Sequence, residues 1–262
     1  MTLEVPLEIL YRDEALVAIH KPAGLLVHRS PIAANAQVFA TQLLRDQIGR
    51  RVYPVHRLDR GTSGVLLFAL DAGFAGRIGE QFRANQVRGR YLAVVRGHPP
   101  LSGCIDHPLR RQFDDMELRR GRGAGDRDAK PNEADDPADA APAVQSALTR
   151  FRRLATTELP WQVDRYPSSR YALVELNPES GRRHQLRRHL KHLSHPIIGD
   201  TTYGKGRHNR LFAEHFGCAR LLLACTALQL RHPLDGRELR ISAAPAADFR
   251  SVLDQLGWAA PT

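Results

Sequence analysis

A carboxylate set among cations carries the strongest chemical suggestion in the sequence: Asp59, in His56-Arg57-Leu58-Asp59-Arg60-Gly61-Thr62-Ser63-Gly64. Nearby cations keep a carboxylate ionised, and so able to act as nucleophile or base, near neutral pH. Gly61 and Gly64 let the backbone bend sharply, while Thr62 and Ser63 can bond the amides that the bend frees. Such a turn holds a side chain at the mouth of a cleft. A structural ion pair with Arg57 or Arg60 is the plainer alternative, and residue types alone leave both open. The glycines do not make a phosphate loop, because the Gly-Lys-Ser/Thr ending is missing and a strand pattern follows instead of a helix.

A second cluster invites a metal. His184, His189, His192 and His195 lie close together, but Arg182, Arg183, Arg187, Arg188 and Lys191 crowd them. No acidic residue occurs from Arg182 through Ile198 to offset that charge, so a dication would be repelled. Solvated or phosphate-facing histidines are expected, and no metal.

These residues need elements to position them. Leu7–Tyr11 and Leu16–Ile19 are short apolar runs that predict a hairpin, ended by His20-Lys21-Pro22-Ala23-Gly24. Ala40, Leu44 and Ile48 predict a short helix with Gly49 as its stop. The continuous run Val65–Leu70 after Asp59 predicts a buried central strand. Asp71 is a plausible N-cap for a helix carrying Phe74, Ile78 and Phe82 on one face. Tyr91–Val95 and Tyr171–Leu176 read as further strands. In Arg183–Leu193 the leucines at 186, 190 and 193 form one stripe, with Arg183, Arg187 and Lys191 on a face beside it. A cation there reaches into a cleft while its stem packs on apolar neighbours. Leu221–Leu230 and Glu238–Ile241 flank Pro233-Leu234-Asp235-Gly236, a hairpin turn signal. The sum is an α+β fold: a mixed, mostly antiparallel central sheet with flanking helices.

The 262 residues suit one large domain, 1–262, better than two complete ones. A net charge of +10 and a pI near 10.1 favour a polyanionic partner, nucleic acid or an anionic membrane. No basic amphipathic helix with aromatic anchors supports the membrane. No apolar run is long enough to span a bilayer, and Met1–Pro6 lacks an export signal, so a cytoplasmic protein is expected. Cys104, Cys218 and Cys225 lack metal-like spacing and read as reduced thiols. Residues 119–143 carry five basic and six acidic side chains and no large apolar one, and read as a disordered or mobile insertion.

The segment His56–Gly64 resembles the signature of the large pseudouridine synthase family that modifies ribosomal and transfer RNA. Other stretches resemble the same family in the same order: Lys21–His28, Arg90–Gly97, Ser180–Arg187 and His195–Asp200. The resemblance covers nearly the whole chain except 119–143. Val27–Ser30, Arg45–Gly49, Arg165–Tyr171, Ala213–Gly217 and Leu256-Gly257-Trp258 look like the bacterial subgroup acting on uridine 65 in the tRNA acceptor stem. This chain departs from the family at His20, where Asn is frequent, and at Ala224-Cys225, where His-Ala is common. Those departures bear on packing or RNA contacts more than on the reaction.

The resemblance implies that a uracil is detached from its ribose, turned and rejoined through carbon, within a central active-site cleft. The nucleotide must first be flipped out of its stack, at a cost of a few kcal/mol. Asp59 matches the catalytic carboxylate, which assists glycosidic cleavage either by attacking the sugar or by acting first as a base. Arg57 matches the residue that enters the vacated space. Tyr91 matches a tyrosine that stacks on the base and takes the C5 proton late in the reaction. Read without the family, Tyr91 is a structural strand tyrosine. Arg187 matches the arginine that pairs with the catalytic carboxylate. His56, Lys21, Arg182 and Arg183 are further expected substrate-binding residues. An isomerisation needs no net redox change and no donor group, so no cofactor is expected. The partner implied is tRNA, with ribosomal RNA as the alternative, acted on by a monomer. A catalytically silent RNA-binding protein is the contrasting reading, against which the set of Asp59, Tyr91 and Arg187 speaks.

Overall fold

The computed structural model describes residues 6–28, 38–112 and 143–259. Alternating apolar runs build a ten-stranded sheet. Its strands are β1 (Ile9–Arg12), β2 (Leu16–Lys21), β3 (Tyr53–Pro54), β4 (Ser63–Ala69), β5 (Arg88–Arg96), β6 (Ser102–Asp106), β9 (Leu148–Leu159), β10 (Ser169–Pro178), β11 (Leu223–Arg231) and β12 (Glu238–Ser242). They run in the order β1-β2-β4-β11-β5-β10-β9-β6, with β12 on β11 and β3 on β4. A parallel contact, between β4 and β11, makes this mostly antiparallel sheet mixed. Strands β7 (Leu109–Arg110) and β8 (Val144–Gln145) pair separately. The 119–143 insertion, apart from Ala143, falls outside the described residues; β7 and β8 flank it.

Five helices are described: α1 (Ala40–Ile48), α2 (Ala72–Arg83), α3 (Gln185–His192), α4 (Gly206–Phe216) and α5 (Ala247–Gln255). The apolar runs of β5 and β10 are continuous because both faces of the sheet are covered. On one face Leu92, Val94, Tyr171 and Leu173 pack against Phe212 of α4 and against Phe249, Val252 and Leu253 of α5. On the other, Ala93, Val95, Ala172 and Val174 pack against Leu186 and Leu190 of α3. The predicted leucine stripe is therefore the seam that fastens α3 to the sheet, with Leu193 partly buried at its end.

Strand β4 is buried along its whole length between β2 and β11, as its apolar run predicts. The Asp71 carboxylate accepts the Gly73 N–H at 2.7 Å and caps α2. Strand β9 is charged and gave little sequence signal. Its arginines Arg150 and Arg152 pair outward with Glu179 and Glu175 while Phe151 turns inward. All three cysteines are free; Cys218 and Cys225 are buried and Cys104 is exposed. No helix among the described residues is long and apolar enough to cross a membrane.

Candidate active site

Asp59 lies in the turn that feeds β4, where the Thr62 N–H donates to the Asp59 carbonyl at 3.0 Å. Gly64 is required next. Its φ is +105°, and a Cβ there would stand 2.0 Å from the Cys225 carbonyl oxygen across the β4–β11 contact. Ser63 does not bond an amide of its own turn, as was expected of it. Its Oγ accepts instead from Arg220 Nη2 at 2.7 Å, because the serine already belongs to the sheet.

Arg187 reaches Asp59 from the opposite side of the site. Its Nη1 donates to Asp59 Oδ2 at 3.1 Å, across 128 positions of sequence. The same guanidinium grips a second carboxylate, donating from Nε to Asp200 Oδ2 at 2.7 Å and from Nη2 to Asp200 Oδ1 at 2.9 Å. Asp200 is fully buried, and its Oδ1 also takes the Thr202 and Tyr203 N–H groups at 2.9 Å each. Burial works against the Arg187 charge, but the bonds and charge of Asp200, then of Asp59, outweigh it and raise its pKa above the usual arginine value. Burial likewise opposes the Asp200 charge, and Arg187 with the backbone N–H groups holds that carboxyl below its ordinary range. Asp59, one-fifth exposed, is thus met by a cation that a buried partner has already aimed.

His184 completes the pocket around Asp59. Its Nε2 stands 3.8 Å from Asp59 Oδ1, and its Nδ1 lies 3.1 Å from the Tyr203 hydroxyl. The residue adopts a left-handed backbone, φ 54°, immediately before α3. A non-glycine residue held there stores strain that the surrounding contacts must sustain. Burial pushes its pKa down, with Asp59 opposing. Tyr203 also lies under Arg187, 5.1 Å from its guanidinium carbon.

Tyr91 is carried by β5 opposite Cys225 of β11. Burial, the bond it donates to the Cys225 sulfur and the charge of Asp59 all raise its pKa well above the ordinary phenol value. A phenol so placed keeps its proton in the free protein. It can stack or donate, and can accept a proton only after losing its own.

These groups open onto a cleft of about 750 Å³. Asp59, Tyr91, Arg57, Arg182 and Arg183 line it, and Arg187 sits behind Asp59. Arg110, Arg111 and Arg188 add positive charge to the walls. Two expected substrate-binding residues lie elsewhere. Lys21 is fully buried and spends its ammonium on backbone carbonyls, donating to Leu25 at 2.7 Å, Pro22 at 2.9 Å and Arg60 at 3.2 Å. Burial, then Arg220, pushes its pKa down to about 7. It straps the Pro22–Leu25 turn to the residue after Asp59. His56 is not on the cleft wall: its Nε2 accepts the Leu67 N–H at 3.0 Å and its ring stacks on Phe82. Helix α3 begins at Gln185, so Arg183 precedes the helix instead of sharing a face with Arg187 and Lys191. Asp200, His184 and Tyr203 carry no sequence signal for their roles, except that His184 and Asp200 stand in family-like stretches. No cluster of metal-binding side chains occurs among the described residues.

Comparison with known proteins gives this geometry a context. Residues 15–192 match the family model described as RNA pseudouridylate synthase. The chain is 46% identical over 252 residues to a tRNA pseudouridine synthase C from Pectobacterium carotovorum, covering 96% of this chain but only 62% of that protein. It is 44% identical over 252 residues to the one from Yersinia pestis, covering 91% of that protein. The solved structure of Human RNA Pseudouridylate Synthase Domain Containing 4 superposes with a TM-score of 0.68 at 28% identity, covering 97% of this chain and 95% of that one. Human RNA Pseudouridylate Synthase Domain Containing 1 does so with 0.67 at 25% identity, over 98% and 89%. With both a family model over most of its length and relatives well above chance identity, the chain belongs to the RNA pseudouridylate synthase family.

Proposed function

We propose that this protein isomerises uridine to pseudouridine in tRNA, at uridine 65 of the acceptor stem, as a cytoplasmic monomer with one catalytic domain. The observation that carries the reading is the Arg187 guanidinium, pinned by buried Asp200 and turned toward a part-exposed Asp59 that faces the cleft. The names of the curated relatives support tRNA as substrate, and the short motifs shared with the uridine-65 subgroup support the position.

In this mechanism the target nucleotide leaves its stack and Arg57, on the cleft wall, takes the vacated space. Asp59 assists breaking of the N1–C1′ bond, and Arg187 keeps its carboxylate aimed at the sugar. The freed uracil turns against Tyr91 and C5 bonds to C1′. The C5 proton leaves and N1 gains one, so atoms and electrons balance within the nucleotide. The high pKa of Tyr91 suits stacking and orientation, and a role as final base requires the bound base to draw its proton away first.

The test is to map pseudouridine in total RNA from cells with and without the gene, then repeat the reaction with purified protein on unmodified tRNA transcripts. Loss of one tRNA pseudouridine in the deletion, restored by wild type and not by Asp59→Asn, is the expected result. The Asp59→Asn protein should bind tRNA within a few-fold of wild type. Loss of a ribosomal pseudouridine instead would move the substrate, and an active Asp59→Asn protein would remove Asp59 from its role.

A further inference from the structure

The histidines that follow the cleft are separated by the fold. His184 faces Asp59 and His195 bonds the Arg96 carbonyl at 2.8 Å. His189 is fully buried between Thr149 Oγ1 and the His107 carbonyl, both at 3.0 Å. Only His192 turns outward, and it stacks on His107 with ring centroids 3.7 Å apart and planes 10° from parallel. The pair borders a cavity of about 280 Å³ whose other walls are Leu109, Arg188, Lys191 and Tyr203.

Four nitrogen-bearing side chains, three from α3 and one from the β6–β7 turn, converge there, and among the described residues no carboxylate lines the cavity. Asp200, whose carboxylate binds the Tyr203 N–H, is consumed by Arg187 and two backbone N–H groups. Lys191 Nζ lies 5.8 Å from the Tyr203 ring centre, held over its face, and pairs with no acid among the described residues. Arg188 belongs to both cavities, with its Nη1 donating to the Arg110 carbonyl on the main cleft wall at 3.0 Å. His189 fixes the turn carrying His107 against α3, so the arrangement is built and not a chance meeting of surface side chains. Uncompensated cations with fixed donors attract a phosphate more than any neutral ligand.

We infer that this outer cavity is a second anion subsite that takes a backbone phosphate of the RNA whose target nucleotide occupies the main cleft. The inference rests on the proposed reaction only for the identity of the RNA. His107 stacks on His192 with Arg188 beside it, an arrangement that disfavours a charge on the His107 ring. Burial and the charges of His192 and Arg188 hold the His107 pKa down. A phosphate at the ring edges reverses that balance, so binding takes up a proton as the pH falls through the imidazole range. The groups facing the pair are Arg188 and Lys191 from α3, His189 beneath and Tyr203 across the cavity.

The test measures tRNA affinity against salt for wild type, Lys191→Gln, Lys191→Arg and His107→Gln/His192→Gln, with Arg250→Gln on α5 as a control. Each lost phosphate contact makes the slope of log K against log salt shallower by about 0.7–0.9. Lys191→Gln should lose that much slope and several-fold in affinity, Lys191→Arg should recover both, and kcat at saturating tRNA should stay at the wild-type value. The double histidine variant should lose the affinity gained between about pH 7.5 and pH 6. Unchanged slopes in both variants, or an equal change in the control, would overturn the subsite. Pseudouridine formation is read on the same samples. If wild type forms none while Lys191→Gln still flattens the slope, the proposed reaction fails and the subsite stands.

Discussion

Arg187 is shared unequally between two carboxylates. Asp200 takes two of its donors in a buried, bidentate pair, and Asp59 takes a third at the cleft. The unequal split has a chemical use. An arginine held only by Asp59 would follow that side chain as it moves, whereas one anchored behind stays put and keeps the carboxylate aimed. His56 shows the opposite kind of role, a motif residue that works inward. Its Nε2 accepts a backbone N–H of β4, and burial lowers its pKa from 6.5 to about 4. Between those pH values the unfolded chain binds a proton that the folded chain does not. Stability is therefore full above about pH 6.5 and falls as the pH drops toward 4, by about 3 kcal/mol from this group. His56→Gln keeps an acceptor without a titrating group. Urea denaturation at both ends of that window should show a smaller loss for the variant than for wild type, and equal losses would remove His56 from the account.

The site is made where elements cross. The turn into β4 brings Asp59, β5 brings Tyr91 opposite Cys225, and α3 brings Arg187, while β4 meets β11 in parallel beside that turn. That contact tolerates no side chain at Gly64, whose added Cβ would meet the Cys225 carbonyl at 2.0 Å. Gly64→Ala is expected to cost about 2 kcal/mol or more, because it adds a strained φ to a forced separation of two strands. Gly49→Ala also strains a positive φ, at 66°, but meets open space at the end of α1. Its expected cost is about 1 kcal/mol. Thermal and chemical denaturation of the two variants compares them directly, and a Gly49 variant as damaging as the Gly64 one would contradict the crossing argument. Helix α3 was readable as an element because its leucines at 186, 190 and 193 repeat at helical spacing. Its start was not. Arg183 continues the basic pattern in sequence, but the left-handed His184 turns the chain before the helix begins.

At the scale of the molecule, cations outnumber acids and collect on the walls of one cleft, where Arg57, Arg110, Arg111, Arg182, Arg183 and Arg188 meet. Such a surface steers a polyanion toward Asp59 and releases counterions as it binds. The affinity for tRNA should fall steeply with salt, by at least about tenfold between 50 and 200 mM. Filter binding across that range measures it, and a flat response would mean that the basic walls do not meet the RNA. The ordering of strands places β7 and β8, the flanks of the 119–143 insertion, next to the same cleft through Arg110, Arg111 and Gln145.

The sequence by itself determined the class of fold and the strands and helices with strong apolar period, and it singled out Asp59 as a candidate. Those properties are local: an apolar run, a cap or a turn glycine records its surroundings in its neighbours. It also pointed to Arg187, since a cation beside a buried stripe has a cleft within reach. Only the tertiary structure decided where the charges end. It buried Lys21 under a turn, sent His56 into the sheet and put Asp200 behind Arg187. It also divided the four histidines among the site, the core and the outer cavity. Side-chain period tells which face a residue occupies, not how deep that face lies or which distant group waits there. Asp59 could be singled out from its turn and, through the family resemblance, given a role, but the partner that fixes its partner could not, because that contact exists only after the chain has folded.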